Sequence, residues 1–419
     1  MENIEYILDF CKELGKQMIV CGANIERVDM SIEHICHGYG LHDVTCANLT
    51  TRIAISAKDE NKNYSSRQTD VPPQSFNLER LKKLNRLSYF VRENKPDPTT
   101  LRDLLDDVKS NDFSWWVILL GYTVAMAALS RIFQAGPFEM LLAIVNTWIL
   151  FGLSKLFSKI KLNKIITNFV SMFIVSAVSI LAYKAGIINN FFIVMITNAF
   201  YLIPGIQMIN CARNLLCGNE QNGVIELLKI LLEICTIVAG LAAAYALLSG
   251  LVGQPTLEDN IVAAGTSVPA YIELIVLTLL ASAGFSVVFN IQLKDIPLAA
   301  VGGAIVRIVH ILGQLAFPEF KFLYTLLAAF AAALYSEILA INRKEPSTLF
   351  LYPSIVPLIP GDLFYYVALG LVWNNEGLLQ YGPDLLLVLI SISVGFVICS
   401  SVVHYIRKFK FNKILNQNK

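Results

Sequence analysis

The sequence predicts an all-α polytopic membrane protein: ten transmembrane helices arranged as two inverted five-helix repeats, preceded by a small N-terminal α/β cytoplasmic domain. Three observations carry this expectation. Beyond about Phe113 the chain is a succession of apolar runs, each close to the roughly 20 residues that cross a bilayer. Basic residues are concentrated in alternate connections between those runs. And the tetrapeptide Leu-Ile-Pro-Gly occurs twice inside apolar sequence, at Leu202 to Gly205 and at Leu358 to Gly361.

With 55% apolar residues over 419, the chain is too apolar for an ordinary soluble enzyme. Its net charge of +1 hides an uneven distribution and points to no nucleic acid. The residues up to Phe113 are rich in Lys, Arg, Asp and Glu. Glu2, Glu5, Asp9, Lys12 and Glu13 interrupt any secretory h-region between Met1 and Gln17, so no signal peptide is expected. The eight cysteines are scattered without a C-x-x-C pair, which suggests reduced thiols. The expected domains are a cytoplasmic α/β domain (1–113), a first five-helix repeat (114–250), an extracytoplasmic loop (251–268) and a second five-helix repeat with a basic tail (269–419).

The first five spans are expected near Trp115–Gln134, Phe138–Phe157, Ile165–Ala185, Asn190–Leu216 and Val224–Leu248. The second five are expected near Tyr271–Ile291, Pro297–Leu315, Phe320–Ile341, Leu349–Trp373 and Leu385–Ile406. Lys155, Lys159, Lys161 and Lys164 follow span two; Arg213 and Lys229 surround the turn after span four, and Lys294 follows span six. Arg343 and Lys344 follow span eight, and the tail holds further basic residues from Arg407 to Lys419. The intervening loops Ala135–Pro137, Ser249–Val268 and Asn374–Asp384 contain no Lys or Arg, with Arg131 and Lys184 as exceptions near span ends. The positive-inside rule then places both termini in the cytoplasm, with the chain in the cytoplasmic (inner) membrane. Five spans per half is an odd number, so the second half enters the bilayer from the opposite side.

Proline removes a backbone donor and clashes with the preceding turn, and glycine resists helix for entropic reasons. A Pro-Gly pair at membrane depth therefore opens backbone that water cannot repair, tolerated where it is buried by protein or lines a cavity. The two copies fall at matching places in spans four and nine, one beginning at Leu202 and the other at Leu358. Matched breaks in two halves point to a transporter binding site.

Ionisable residues inside spans cost on the order of 2.5–3.5 kcal/mol each at the bilayer centre, and so are candidates for function. Asp362 directly follows the second Pro-Gly, where it could carry a proton or counter a substrate ammonium group. Arg307 and His310 share a helical face in span seven; arginine suits a carboxylate, and histidine titrates in the physiological range. Asn198, Gln207 and Asn210 flank the first break and could hydrogen-bond substrate or another helix, as could Asn290. Glu273 and Glu337 lie nearer span ends and read as interfacial carboxylates, and Arg213 as a cation that snorkels to the surface. The substrate-binding set is thus Pro204, Gly205, Asn198, Gln207, Asn210, Pro360, Gly361, Asp362, Arg307 and His310, with Asp362 and His310 as proton carriers.

In the N-terminal domain, helices are expected at Asn3–Cys21 and Asn24–Gly38, strands at Val44–Leu49, Arg52–Ala57 and Tyr64–Asp70, and helices at Phe76–Glu93 and Leu101–Val108. His34, Cys36, His37 and His42 match no standard zinc spacing, so no metal or other cofactor is expected. The absence of a P-loop argues against ATP-driven pumping.

These residues resemble the threonine/serine exporters. The resemblance runs through Gly22-Ala23 with Arg27-Val28, Thr51–Ser56 with Arg67 in the next strand, the first Pro-Gly followed by Asn210, and Pro357 to Gly361. It implies a cytoplasmic domain followed by two five-span units, which in some bacteria are separate polypeptides, and proton-driven efflux of small hydroxy-amino acids. The expected partners are a small amino acid, a coupling proton and membrane lipid, with homo-oligomerisation left open. Two alternatives stand beside this: a dicarboxylate exporter of the same fold with Arg307 and His310 as anion contacts, and a membrane-anchored cytoplasmic hydrolase, which the missing G-x-S-x-G elbow disfavours.

Overall fold

A computed structural model of the chain describes residues 2–109, 112–216, 218–251, 267–361, 363–364, 366–367, 370 and 376–417. By packing, the chain divides into two compact units. One comprises Met1–Ser114 together with Phe289–Asp295 and Ile338–Phe350; the other holds the remaining apolar chain.

The first unit is built on α1 (Glu2–Val20), α2 (Ile25–Gly38), β1 (His42–Cys46), β2 (Arg52–Lys58), β3 (Tyr64–Asp70), α3 (Leu78–Asn94) and α4 (Leu101–Asp106). The strands form an antiparallel sheet in the order β1-β2-β3. Strand β2 alternates, burying Ile53, Ile55 and Ala57 against the apolar stripe of α1 that carries Leu8, Cys11, Leu14 and Met18. The turn between α1 and α2 needs glycine: Gly22 has φ +98, and a Cβ there would meet the Phe76 ring at 2.8 Å. Strand β1 lies earlier than its alternation suggested. Asn48 interrupts it, because its Oδ1 accepts the Ala54 N–H and its Nδ2 donates to Asp29 at 2.6 Å, replacing regular ladder pairing. Arg67 reaches from β3 to Glu5 and Asp9 on α1, and Arg27 donates to Asn85 on α3.

Helix α3 is bound to sequence from the distant second half of the chain. Its first amides, Leu78 and Glu79, donate to the carbonyls of Phe289 and Asn290. The Asn290 side chain in turn accepts the Phe113 N–H. Lys82, only 1% exposed, donates to Asp295 at 2.7 Å and contacts Glu345 at 2.6 Å. Arg343 completes Asp295 and Arg86 completes Glu345. A lysine is buried this deeply only when paired, and here two carboxylates share it.

The second unit contains α5 (Trp115–Ile132), α6 (Pro137–Lys159), α7 (Lys164–Lys184), α8 (Phe191–Leu202), α9 (Gly205–Leu216) and α10 (Glu220–Leu248). It continues with α11 (Val268–Val288), α12 (Ile296–Ala316), α13 (Lys321–Arg343), α14 (Thr348–Ile355) and α15 (Gly382–Gln417), the ends of some of these belonging to the first unit. Among the described residues, eight helices are long and apolar enough to cross a membrane, and α8 with α9 makes a ninth, bent by 61°. The apolar helix over Thr348–Leu358 opens the segment in which span nine is expected. Arg131, an exception to the loop-charge pattern, pairs with Glu273 at 2.7 Å.

Small residues bring these helices together, as expected where lipid tails give no hydrophobic drive between them. On α5 and α11, a Cβ at Gly121 would lie 2.9 Å from the Gly284 carbonyl oxygen. On α10, a Cβ at Gly240 would run into the Phe169 carbonyl of α7 and lie 3.1 Å from the Phe173 nitrogen. On α15, a Cβ at Gly395 would lie 2.8 Å from the Leu326 oxygen and 3.0 Å from the Phe330 nitrogen of α13. The α7–α10 contact thus recurs between α13 and α15.

Candidate functional site

The two breaks share one backbone geometry. Ile203 has φ −65 and ψ 129, and Ile359 has φ −63 and ψ 129, so each span steps into extended conformation before its proline. The Gly205 amide then bonds the Ile203 carbonyl at 2.9 Å, and the Gly361 amide bonds Ile359 at 2.8 Å. Helical bonding resumes from Met208 to Pro204 in one span and from Phe364 to Pro360 in the other. The cause is local: proline cannot donate, and the residue before it is pushed out of the α region.

The fold brings the breaks face to face. A Cβ on Gly205 would stand 2.7 Å from Ile359 Cδ1, and one on Gly361 would collide with the Phe200 ring. Glycine is required at both positions for this close approach. Further along α9, the Asn210 side-chain amide and the Tyr352 hydroxyl of α14 lie 3.3 Å apart, a buried polar link between the two broken spans. Arg307, half-buried on α12, donates Nε to Thr278 Oγ1 at 3.0 Å and Nη2 to the Pro357 carbonyl at 3.3 Å. A fixed cation therefore sits beside the second break. Pro204, Gly205, Asn210, Pro360, Gly361 and Arg307 are thus gathered into one region.

The remaining candidates are placed elsewhere or differently. Asn198 is fully buried in a network inside the first half: Nδ2 donates to the Ala143 carbonyl at 3.0 Å, and Oδ1 accepts from Asn146 at 3.2 Å. Asn146 also donates to Ser179 Oγ at 3.0 Å. Asn198 is thus held by hydrogen bonds to other helices. His310 stacks edge-on against Tyr324, with ring centroids 4.9 Å apart. Gln207 is half-buried on α9. Asn290 belongs to the first unit, at the loop that caps α3. Asp362 lies outside the described residues. Arg213 is half-buried at the end of α9, and its Nη2 is buried with no hydrogen-bond partner among the described residues.

Several contacts recur at the offset that separates the two breaks. Asn198 donates to the Ala143 carbonyl, and at the equivalent places in the second half Ser354 donates to the Ala299 carbonyl at 3.1 Å. Tyr122 meets Phe151 and Tyr201, with ring centroids 6.2 and 4.4 Å away. The same offset carries these three positions to Thr278, Arg307 and Pro357, which meet one another through the arginine. Tyr352, Tyr122 and Tyr201 were missed in the sequence because a tyrosine in an apolar run reads as packing. The offset itself was the signal that could have found two of them, since it maps Tyr122 and Tyr201 onto the partners of Arg307.

A helical membrane unit with two apposed breaks, a polar link across them and a cation alongside defines a membrane transport protein. The chain belongs to the threonine/serine exporter family: its model matches residues 9–248, and a second model, Threonine/Serine exporter, ThrE, matches residues 274–402. The two matches divide the chain into the two units of the family, fused in one polypeptide. No curated protein and no solved structure matches it.

Proposed function

We propose that this chain exports threonine, serine or similar small amino acids by alternating access, with the substrate held between the two broken spans and a proton moving in exchange. The observation that carries the reading is the apposition of the breaks, Gly205 against Ile359 and Gly361 against Phe200. The membership of the family supplies the substrate class.

In this reading Arg307 receives the substrate carboxylate, exchanging its bond to the Pro357 carbonyl for a charge-assisted one. The opening amides of α9, which a helix leaves without intrahelical partners, add donors for the same anion, as do those after Pro360-Gly361. Asp362 meets the ammonium group. The recurrence of the Asn198–Ala143 contact at Ser354–Ala299, and of the α7–α10 crossing at α13–α15, supports two repeats of one design. Five spans in each makes them inverted, with both termini in the cytoplasm and the chain in the inner membrane.

Proteoliposomes carrying the full chain provide the measurement. Labelled threonine or serine should leave along an imposed pH gradient, and unlabelled threonine should compete better than succinate. Stronger competition by succinate would replace the amino acid with a dicarboxylate; no transport of either would sink the reading.

A further inference from the structure

Helix α9 begins at the first break and ends on a buried acid. Glu226, about two turns into α10 from its start at Glu220, is 6% exposed and accepts the Asn214 side-chain N–H at 3.0 Å. Asn214 lies one helical turn beyond Asn210, on the same face of α9. Asn210 is the residue that links α9 to Tyr352 on the other broken span. One short helix thus carries the Pro-Gly break, the bridge to the second half and the contact to a buried carboxylate.

We propose that Glu226 is a proton-coupling carboxylate of this transporter, acting on the broken span as a positioning residue through Asn214. The proposal rests on the export reading above. An ionisable side chain buried in a membrane span is costly to keep and is by default a functional candidate. The surroundings make its charge consequential. From α9 the Arg213 charge acts on it, its Nη2 being buried with no hydrogen-bond partner among the described residues, and the Cys211 thiol, which donates to the Gly223 carbonyl, lies in reach of its charge. On its own helix Lys229 is the cation that acts on it. From α7, Lys164 is engaged by Glu233, two turns further along α10.

Ionised, the Glu226 carboxylate accepts from Asn214 and offsets Arg213. Protonated, it loses its charge and gains an O–H donor; the Asn214 N–H is then left with a neutral acceptor in place of a charge-assisted one, and Arg213 loses its counter-charge. Either change alters what holds the far end of α9, and α9 positions the break. One proton taken up and released by this carboxylate per cycle would link the proton gradient to the opening of the site. The equivalent position in the second half, at the offset of the two breaks, is Gly382, so the device belongs to the first half alone.

The experiment uses the full-length protein in proteoliposomes, with Glu226→Gln and Glu226→Asp. Two readouts are taken: gradient-driven threonine efflux across external pH, and threonine–threonine counterflow without a gradient. The Gln variant should lose gradient-driven efflux by about ten-fold or more while counterflow stays within about two-fold, and its pH profile should flatten. The Asp variant should keep the gradient response. Asn214→Leu, which leaves the acid intact, should weaken the response in the same direction. A Gln variant that follows the gradient like the wild type overturns the proposal; so does one that is folded but loses both readouts together, because the role is then structural. If the wild type itself moves neither threonine nor serine, the export reading fails first and the coupling role falls with it.

Discussion

The two halves of the membrane unit share a frame and differ in what they hang on it. The backbone at Ile203 and Ile359 is the same, and Asn198 and Ser354 anchor to carbonyls at equivalent positions. Yet the first half fills its centre with Asn146, Asn198, Ser179 and the rings of Tyr122, Phe151 and Tyr201, where the second has Gly302, Ser354, Tyr335 and the trio Thr278, Arg307 and Pro357. The halves also differ at their connections, because Phe289–Asp295 and Ile338–Phe350, both from the second half, are built into the unit that contains α3. The lesson is that break geometry is a backbone property that both halves keep, whereas the arginine beside the break stands in the second half alone. In the export reading proposed above, this asymmetry suits a zwitterionic substrate, whose two ends require opposite chemistry.

The largest expected effect attacks the connections. Lys82→Met leaves Asp295 and Glu345 buried without their shared cation, and breaking a buried pair from one side costs about 3–5 kcal/mol. Thermal unfolding of the solubilised full chain should show it. Hydrogen exchange should rise in 289–295 and 338–350 and not at 133–136, the connection of the first half equivalent to 289–295. An unchanged melting temperature would mean that the cluster is not the dry site described.

Next comes the charge itself. Arg307→Met should lower threonine transport by about 100-fold, since each hydrogen bond to a charged group is worth about 1.5–3 kcal/mol. Phe151→Met, at the equivalent place in the first half, should change it by less than about five-fold, as expected for a volume-conserving apolar exchange. Equal losses would erase the asymmetry between the halves.

A smaller effect separates the two anchors. Asn198→Ala removes bonds to Ala143 and Asn146 and should cost about 1.5 kcal/mol, near the upper end for polar contacts between membrane helices; Ser354→Ala should cost about 0.5 kcal/mol. The reverse order in melting temperatures would show that the first-half network is not the tighter one.

The smallest serves as a control outside both halves. Burial raises the Asp29 carboxyl from 3.8 to about 6, helped by Glu33 and Glu26 and opposed by the Asn48 hydrogen bond. The folded form therefore holds the proton more tightly than the unfolded one. The stability this contributes is present below about pH 4 and is lost as pH rises to about 6. Asp29→Asn should flatten that slope, raising the melting temperature modestly above pH 6 and leaving it unchanged near pH 4. Both membrane halves should be indifferent to it, so threonine transport should not change.

Much of the frame was legible in the residues. Apolar runs near bilayer length mark the spans, and Leu-Ile-Pro-Gly marks each break. Strand β1 was misplaced because Asn48 redirects an amide to its own side chain, which alternation does not reveal. Arg213 reads as surface-seeking because basic residues after a span usually are, and only packing shows that its Nη2 is buried. Glu226 was passed over because it stands near the start of a long apolar run, where an acid reads as a span end. Lys82 on α3 looks like a solvent-facing lysine until Asp295 and Glu345 arrive from the other half of the chain.

The sequence by itself determined where the backbone must break, because proline and glycine act on their own φ, ψ and hydrogen bonds whatever surrounds them. It determined the spans for the same kind of reason, since transfer into lipid is summed along a contiguous stretch. Only the tertiary structure decided that Gly205 meets Ile359, that Arg307 holds the Pro357 carbonyl, that Lys82 is shared by two carboxylates and that α9 ends on Glu226. These are contacts between distant segments, where steric fit and desolvation select one partner among many that local chemistry would equally allow.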